Sequence, residues 1–201
     1  MKVHLVTVFG AGLALACGAH FLAVDERVAA KQSATFLAEA NNILRTDPVD
    51  GNFGMNRLPT VHSRQYFSEG KSPEAKAARA IAQLEKTHFI ALIAYGKPSK
   101  DEFGRRSTMS GYYQLNHAPL AKDKRFFDAA DAVNNRAMST ALKLVREGKD
   151  RWRESISYVD RQATIEYQAV RASHNSCMKC HQDVPKGKPI GVLVLIRVPR
   201  N

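Results

Sequence analysis

One pentapeptide near the carboxyl end has the residue types and the spacing for covalent cofactor chemistry. Residues 177–181 read Cys-Met-Lys-Cys-His, which is the C-x-x-C-H pattern of c-type haem attachment. Two thiols at this spacing can form thioether bonds to the two vinyl groups of one porphyrin, and the adjacent imidazole can bind the iron. We therefore predict that Cys177 and Cys180 anchor one covalent haem c and that His181 is the proximal iron ligand.

Three other uses of the cysteine pair are weaker. A zinc site needs four ligands, and the sequence contains neither a second pair of closely spaced cysteines nor an H-x-x-x-H segment. A thioredoxin-like redox pair opens a long helix, which Pro185, Gly187 and Pro189 would interrupt. A disulfide between Cys177 and Cys180 would be geometrically tight.

The ligand on the other side of the iron is left open by the sequence. His88 is the candidate that we carry forward, because it falls on an apolar stripe between Leu84 and Ala91; a core histidine held by a hydrogen bond is the alternative there. A vacant or water-bound site would let NO or CO bind. Arg171 and His174 precede the motif closely enough to contact haem propionates, although a strand-end arginine is often simply solvated. The other distal candidates are His62, His117, Met55, Met109 and Met138.

Apolar side chains recur at helical spacing in three segments before the motif. The second segment begins at Ser72, a good N-cap, with Pro73 at the first helical position, and it carries His88 on its apolar stripe. Gly148 is expected to cap the third segment. The predicted helices run roughly over Asp25–Arg45, from Ser72 to before Gly96, and over Lys122–Glu147, with polar loops at 52–71 and 96–121.

The spacing of apolar residues changes to every second position after the third helix. Residues 152–158 and 164–169 each alternate apolar and polar side chains around a turn at Asp160, which predicts an antiparallel hairpin. Residues 190–196, IGVLVLI, are uninterrupted apolar and predict a strand that is buried on both faces. The motif falls between the second and the third predicted strands, and the expected class is α+β.

The first 24 residues have the pattern of an export signal. Between Lys2 and Asp25 there is no charged side chain, and the triplet before Cys17 is Ala-Leu-Ala. We predict a signal peptide or, if the segment stays uncut, an N-terminal membrane anchor, and cleavage after Ala16 would leave Cys17 as a lipid-anchor site. Residues 25–201 then form one exported, periplasmic domain, on the side of the membrane where haem c is assembled in bacteria.

Composition and net charge narrow the classes of partner that the sequence favours. The chain has 201 residues, of which 44% are hydrophobic and 24% are charged, as in an ordinary folded domain, and three cysteines are too few for a disulfide scaffold. The net charge of +11 favours a partner protein with an acidic surface. The positive residues are dispersed without an interleaved aromatic patch, so we predict no nucleic-acid partner. The sequence leaves the oligomeric state open.

The order of features from Glu166 to Ile196 resembles a known family. A strand with a tyrosine runs directly into CMKCH, and a Gly-x-x-x-Gly segment (Gly187, Gly191) initiates the final strand, as in the single-haem c-type PAS-like family of exported proteins and chemoreceptor sensor domains. The resemblance covers roughly Arg27–Val198. It implies an antiparallel sheet flanked by helices with one covalent haem c, with Cys177, Cys180 and His181 in the roles given above.

Some relatives in that family use a cysteine from an N-terminal helix as the distal ligand, and residues 25–176 of this chain contain none. The rival architecture is an all-α four-helix bundle like that of cytochrome c′, which also carries its motif near the carboxyl end. The alternation before Cys177 and the run at 190–196 argue against it.

Three functions compete at this point. We expect an exported monohaem c-type cytochrome that carries one electron, with a haem-based redox or gas (NO/CO) sensor and a cytochrome c′-like protein as the alternatives. We do not expect an enzyme, because the sequence shows no evident distal His-Arg pair for cleaving peroxide.

Overall fold

The computed structural model describes the backbone of residues 7–46, 57–58, 69–96, 99–100, 106–107, 110–116 and 124–200, and the side chains of 26–46, 57–58, 69–96, 132–179 and 181–200. The four helices in these ranges are α1 (Thr7–Arg45), α2 (Pro73–Thr87), α3 (Lys124–Glu147) and α4 (Asn175–Cys180). The strands are β1 (His88–Gly96), β2 (Ser99–Lys100), β3 (Arg106–Ser107), β4 (Ser110–Asn116), β5 (Arg151–Tyr158), β6 (Arg161–Arg171) and β7 (Pro189–Pro199).

Five of these strands form one antiparallel sheet in the order β4-β1-β7-β6-β5, and β2 and β3 form a separate pair. The last strand, β7, is therefore the central one, with β1 on one side and β6 on the other. The prediction of an α+β fold with an antiparallel sheet flanked by helices is confirmed. The four-helix-bundle alternative is wrong, because the residues before and after the motif form β6 and β7 of this sheet.

Helices cover both faces of the sheet, and β7 is buried by both sets. On one face Leu193 and Leu195 pack in a core cluster with residues of α1 and α2. On the other face Val192, Val194 and Ile196 pack in a second cluster with α3. The uninterrupted apolar run of this strand follows from burial on both faces, as the sequence predicted.

Several predicted boundaries hold. Ser72 caps α2, because its side chain accepts a hydrogen bond of 3.1 Å from the backbone N–H of Ala75, and Pro73 is the first helical residue. Gly148 ends α3 with a φ of +69°, a conformation that favours glycine. The hairpin of β5 and β6 pairs as expected.

Other predicted boundaries are wrong. The helix expected over Asp25–Arg45 begins at Thr7. The helix expected to continue to Gly96 ends at Thr87, and His88 is the first residue of β1. The segment 96–121, expected to be a loop, contains β2, β3 and β4. Most of the predicted loop at 52–71 lies outside the described residues.

Candidate haem site

The C-x-x-C-H motif lies in the connection between β6 and β7, two adjacent antiparallel strands. The connection is closed at its base, where the Ala172 N–H donates to the Lys188 carbonyl at 3.0 Å and the Gly187 N–H donates to the Ala172 carbonyl at 2.7 Å. A turn from Pro185 to Lys188 precedes β7, and Gly187 has a φ of +82° at its third position, where a type II turn needs glycine. The motif therefore projects from one end of the sheet.

The motif itself is a single short helix that ends at its histidine. The Cys177 N–H donates to the His174 carbonyl at 3.1 Å, and the His181 N–H donates to the Cys177 carbonyl at 3.1 Å. Cys177 and Cys180 are three residues apart, so they lie on the same face of α4. The thiol of Cys177 is free and half-buried, and the side chain of Cys180 lies outside the described residues.

His181 follows α4 directly, with φ −130° and ψ 50°, and its ring is half-buried. Burial lowers the pKa of this imidazole, and the charge of Asp183 opposes the shift only in part. A lowered pKa favours the neutral ring, which is the form that binds metals. The His181 carbonyl accepts a hydrogen bond of 3.0 Å from Val184, whose side chain is fully buried and fixes the segment to the body.

Arg171 braces the base of the motif. Its guanidinium donates to Asp150 Oδ1 at 2.7 Å, to the Gly187 carbonyl at 2.9 Å and to the Gly148 carbonyl at 3.1 Å. These bonds join the end of β6 to the turn before β7 and to the connection between α3 and β5. The predicted contact of Arg171 with a propionate stays a prediction, and three of its five N–H groups already have acceptors.

The other residues around the motif are placed as follows. Ser173 donates its hydroxyl to the Arg45 carbonyl at 2.9 Å, which ties the segment to the end of α1. His174, the second predicted propionate contact, is half-buried at the N-cap of α4 and makes no capping hydrogen bond through its side chain.

The structure does not bring His88 to His181. His88 pairs with Pro199 at the end of β7, whereas the motif adjoins Pro189 at its beginning. Ten residues of extended strand separate the two positions, a distance of about 33 Å. We therefore leave His88 out of the proposed haem site.

His88 is instead a buried histidine among polar groups. Its ring is 5% exposed, Nδ1 lies 2.8 Å from the Thr87 hydroxyl, and Nε2 lies 3.4 Å from Arg197 Nη1. The helical stripe that suggested an iron ligand arose because the run after Thr87 is apolar at nearly every position, which satisfies helical and strand spacing alike.

Of the remaining distal candidates, the structure describes the side chain of Met138 alone. It lies in α3 and is 44% exposed. The side chains of His62, His117, Met55 and Met109 lie outside the described residues.

Sequence reasoning missed a buried ion network beside His88. The guanidinium of Arg197 is fully buried and donates to Glu26 Oε1 on α1 at 3.0 Å, while its Nε lies 3.5 Å from Glu166 Oε2. Arg153 donates to the same Glu26 carboxylate at 2.6 Å. The available signal was one arginine directly after the apolar run 190–196, although its carboxylate partners are far away in sequence.

Two clefts flank Arg171 at the motif end of the sheet. One, of about 360 Å³, lies between α1, β5 and β6, and the other, of about 560 Å³, lies between the end of α3 and the start of β7. The first cleft is lined by Asn41, Arg45, Asp150, Arg151, Gln168, Ala169 and Arg171. The second is lined by 145–148, Arg171, Pro185, Lys188 and Pro189.

The described residues contain neither a membrane-spanning helix nor a cluster of metal ligands. Within those ranges, no helix is long and apolar enough to cross a membrane. Within the same ranges, no three or more His, Cys, Asp or Glu side chains are grouped so as to hold a metal ion. In comparisons with known proteins, neither a family model nor a curated protein nor a solved structure matches this chain.

Proposed function

We propose that this chain is an exported monohaem c-type cytochrome that carries one electron. The observation that carries the proposal is the arrangement of the motif. Cys177 and Cys180 share one face of a single helical turn, the Cys177 thiol is free, and the half-buried His181 imidazole has a lowered pKa. This donor set fits a c-type haem, because it offers two thioether positions and one neutral imidazole within one turn.

Four residues of the chain would have distinct roles in holding the haem. Cys177 and Cys180 would anchor the porphyrin, and His181 would bind the iron from the proximal side. Arg171 would keep the base of the motif closed through its bonds to Gly148 and Gly187. The haem, when bound, supplies the reversible one-electron chemistry of its iron.

The sheet supports a PAS-like body. It is antiparallel, and helices pack on both of its faces. The resemblance given above implies an antiparallel sheet flanked by helices. The proposal places the motif at one end of such a sheet, between its last two strands.

A haem-based redox or gas sensor is the second candidate. The position of His88, at the other end of β7, favours it, because the histidine that we carried forward as a sixth ligand is not near the motif. A haem with a weak or vacant distal side binds CO or NO, whereas a six-coordinate haem serves electron transfer.

The location and partners belong to the same proposal. Export would follow from residues 1–24, acting as a signal peptide or an anchor, and would place the domain in the periplasm. The partner would be a redox protein with an acidic surface, with neither nucleic acid nor a substrate turned over by the chain. Contact with a membrane would be confined to the N-terminal segment.

The first test is covalent haem itself. The full chain is produced in a bacterium that matures c-type cytochromes, and the intact mass of the purified protein is measured. We expect one added haem in the wild type and none in Cys177→Ser/Cys180→Ser, while His174→Ala, which keeps both anchors, retains it. A bare polypeptide in the wild type refutes the proposal.

The second test separates carrier from sensor. Visible spectra of the oxidised and ferrous protein are recorded with and without CO. Low-spin bands that CO leaves unchanged support the carrier, whereas a ferrous high-spin form that takes up CO supports the sensor. His88→Ala is expected to leave these haem bands unchanged, because His88 lies about 33 Å along the strand from the motif end.

A further inference from the structure

The motif end of the sheet has an excess of exposed cations. Arg45, Arg146, Arg151, Lys186 and Lys188 are all exposed, and we call these five residues the basic end face. Arg45 and Arg151 line the smaller cleft beside Arg171, and Arg146 and Lys188 line the larger one. Lys186 occupies the turn that leads into β7.

The carboxylates nearby do not neutralise this face. Among the described side chains, none of the five cations has a carboxylate oxygen within 4.0 Å, and Arg151 donates through Nε to the neutral Gln168 Oε1 at 2.8 Å. The Asp150 carboxylate forms a salt bridge with Arg171 at 2.7 Å, and the Glu147 carboxylate forms one with Lys149 at 2.9 Å. Exposed cations without a local counter-charge project a positive field that attracts an anionic surface.

The opposite end of the sheet is different. There Arg153 and Arg197 share the Glu26 carboxylate, and Arg161 donates to the Pro199 and Arg200 carbonyls. The guanidinium of Arg200 donates to the Glu85 carbonyl and covers the ring of Phe89. The arginines named here bond to groups of the domain itself, whereas the five cations of the basic end face have no carboxylate partner among the described side chains.

We propose that the basic end face is the docking surface for an acidic face of a partner protein. The proposal rests on the proposed function in one respect, which is that electrons would pass through a haem held at the same end. Carboxylates of the partner would enter the two clefts on either side of Arg171 and pair with the exposed guanidinium and ammonium groups. Charge complementarity of this kind steers encounter and sets orientation.

The test uses poly-L-glutamate as an acidic polypeptide probe. Binding to the full-length protein is measured by isothermal titration calorimetry at low salt. Lys186→Glu/Lys188→Glu is compared with Lys31→Glu/Lys86→Glu, which makes the same change in net charge on exposed residues of α1 and α2. We expect the first double variant to lose about tenfold in affinity, as for reversal of two contacting charges, and the control to lose far less.

Two outcomes overturn the inference. One is an equal loss in both double variants, which would show that the probe senses net charge alone. The other is tighter binding to vesicles of phosphatidylcholine and phosphatidylglycerol than to poly-L-glutamate, lost in the same Lys186→Glu/Lys188→Glu variant. That result would identify an anionic membrane as the partner.

The measurement remains informative if the chain carries no haem. A difference between the two double variants in a haem-free polypeptide would refute the proposed function while supporting the docking surface. Covalent haem with equal losses of affinity in both double variants would support the proposed function and refute the docking surface. The haem content of each sample is therefore determined by intact mass before titration.

Discussion

Arg197 illustrates how much depends on one buried charge. Its side chain has no exposure, and its counter-charges come from Glu26 on a helix and Glu166 on the neighbouring strand. Removing Arg197 would leave the largely buried Glu166 with only its 3.8 Å contact to Arg153, while Glu26 keeps its bond to Arg153. The arginine therefore ties α1 to the sheet, and it does so at the end remote from the motif.

We expect Arg197→Met to lower the free energy of unfolding by about 3 kcal/mol, because the largely buried Glu166 carboxylate loses its nearest counter-charge. Urea denaturation measures the change. The matched control is Lys143→Met. The Lys143 side chain is 64% exposed and its ammonium lies 3.8 Å from Glu147, so we expect a cost of about 0.5 kcal/mol or less. Equal midpoints for the two variants would contradict this account.

Glu26 makes the same network sensitive to acid. Burial alone raises the pKa of this carboxyl, but the hydrogen bond from Arg197 and the charges of Arg197, Arg153 and His88 outweigh burial and lower the pKa below its ordinary value of 4.5. A group with a lowered folded-state pKa stabilises the fold above its unfolded pKa. That contribution is lost as the pH falls through the folded pKa.

We therefore expect the stability of the wild type to fall more steeply than that of Glu26→Gln between about pH 5 and pH 3. Urea midpoints at a series of pH values give both profiles. Glu69→Gln, at an exposed position without an ion pair among the described side chains, is the control and is expected to follow the wild type. Parallel profiles for the wild type and Glu26→Gln would show that this carboxylate is not the acid-sensitive contact.

The turn between β5 and β6 contains a strained residue. Val159 has a φ of +59° and is 37% exposed, and β-branched residues rarely adopt this conformation. Two-residue hairpin turns with a positive φ at their first position favour glycine there. The strain is local, because Tyr158 and Arg161 pair normally on either side.

Replacing Val159 with glycine should stabilise the hairpin by about 1 kcal/mol, since it removes the left-handed strain of an L-residue with a side chain. Thermal and urea unfolding of Val159→Gly test this directly. Asp160→Gly, at the second turn position, where φ is not positive, is the control and is expected to give no gain. A loss of stability in Val159→Gly would disprove the strain.

The strands show which elements a sequence reveals. The hairpin of β5 and β6 was predictable because its polar and apolar side chains alternate. The strand β1 was not predictable, because residues 89–95 are apolar throughout and pack against core residues on both faces of the sheet. Burial on both faces removes the alternation that distinguishes a strand from a helix. The edge strand β4 lies in the segment 96–121, which was predicted to be a loop.

The candidate site was predictable only where it is local in sequence. The spacing of Cys177, Cys180 and His181 is read from five consecutive residues, whereas the short helix α4 that carries the motif was not predicted. The environment of His88 depends on Glu26 and Arg197, which are distant in sequence. No local sequence pattern identifies such distant partners. The apolar spacing around His88 therefore suggested an iron ligand, whereas the fold places His88 beside buried polar side chains.

The molecule as a whole keeps its cores separate from the motif. The two hydrophobic clusters among the described residues contain no residue between Ala172 and Val184. One cluster lies between the sheet and α1 with α2, and the other lies between the sheet and α3. The packing that holds the domain together therefore does not need the segment that would carry the cofactor.

From this separation we expect Cys177→Ser/Cys180→Ser to remain folded without a cofactor. Far-ultraviolet circular dichroism should retain the helix and sheet signals of the wild type, and urea unfolding should remain cooperative. Val194→Asp, which places a charge in the fully buried central strand, is the unfolded reference. A disordered spectrum for the cysteine double variant would show that the cofactor is needed for folding.

The closed base of the β6–β7 connection makes the segment that carries the motif an insertion between two paired strands. Because Ala172 and Lys188 already bond to each other across the hairpin, residues 173–187 lie outside the ladder that joins β6 and β7. The register of these two strands is therefore set without the pentapeptide.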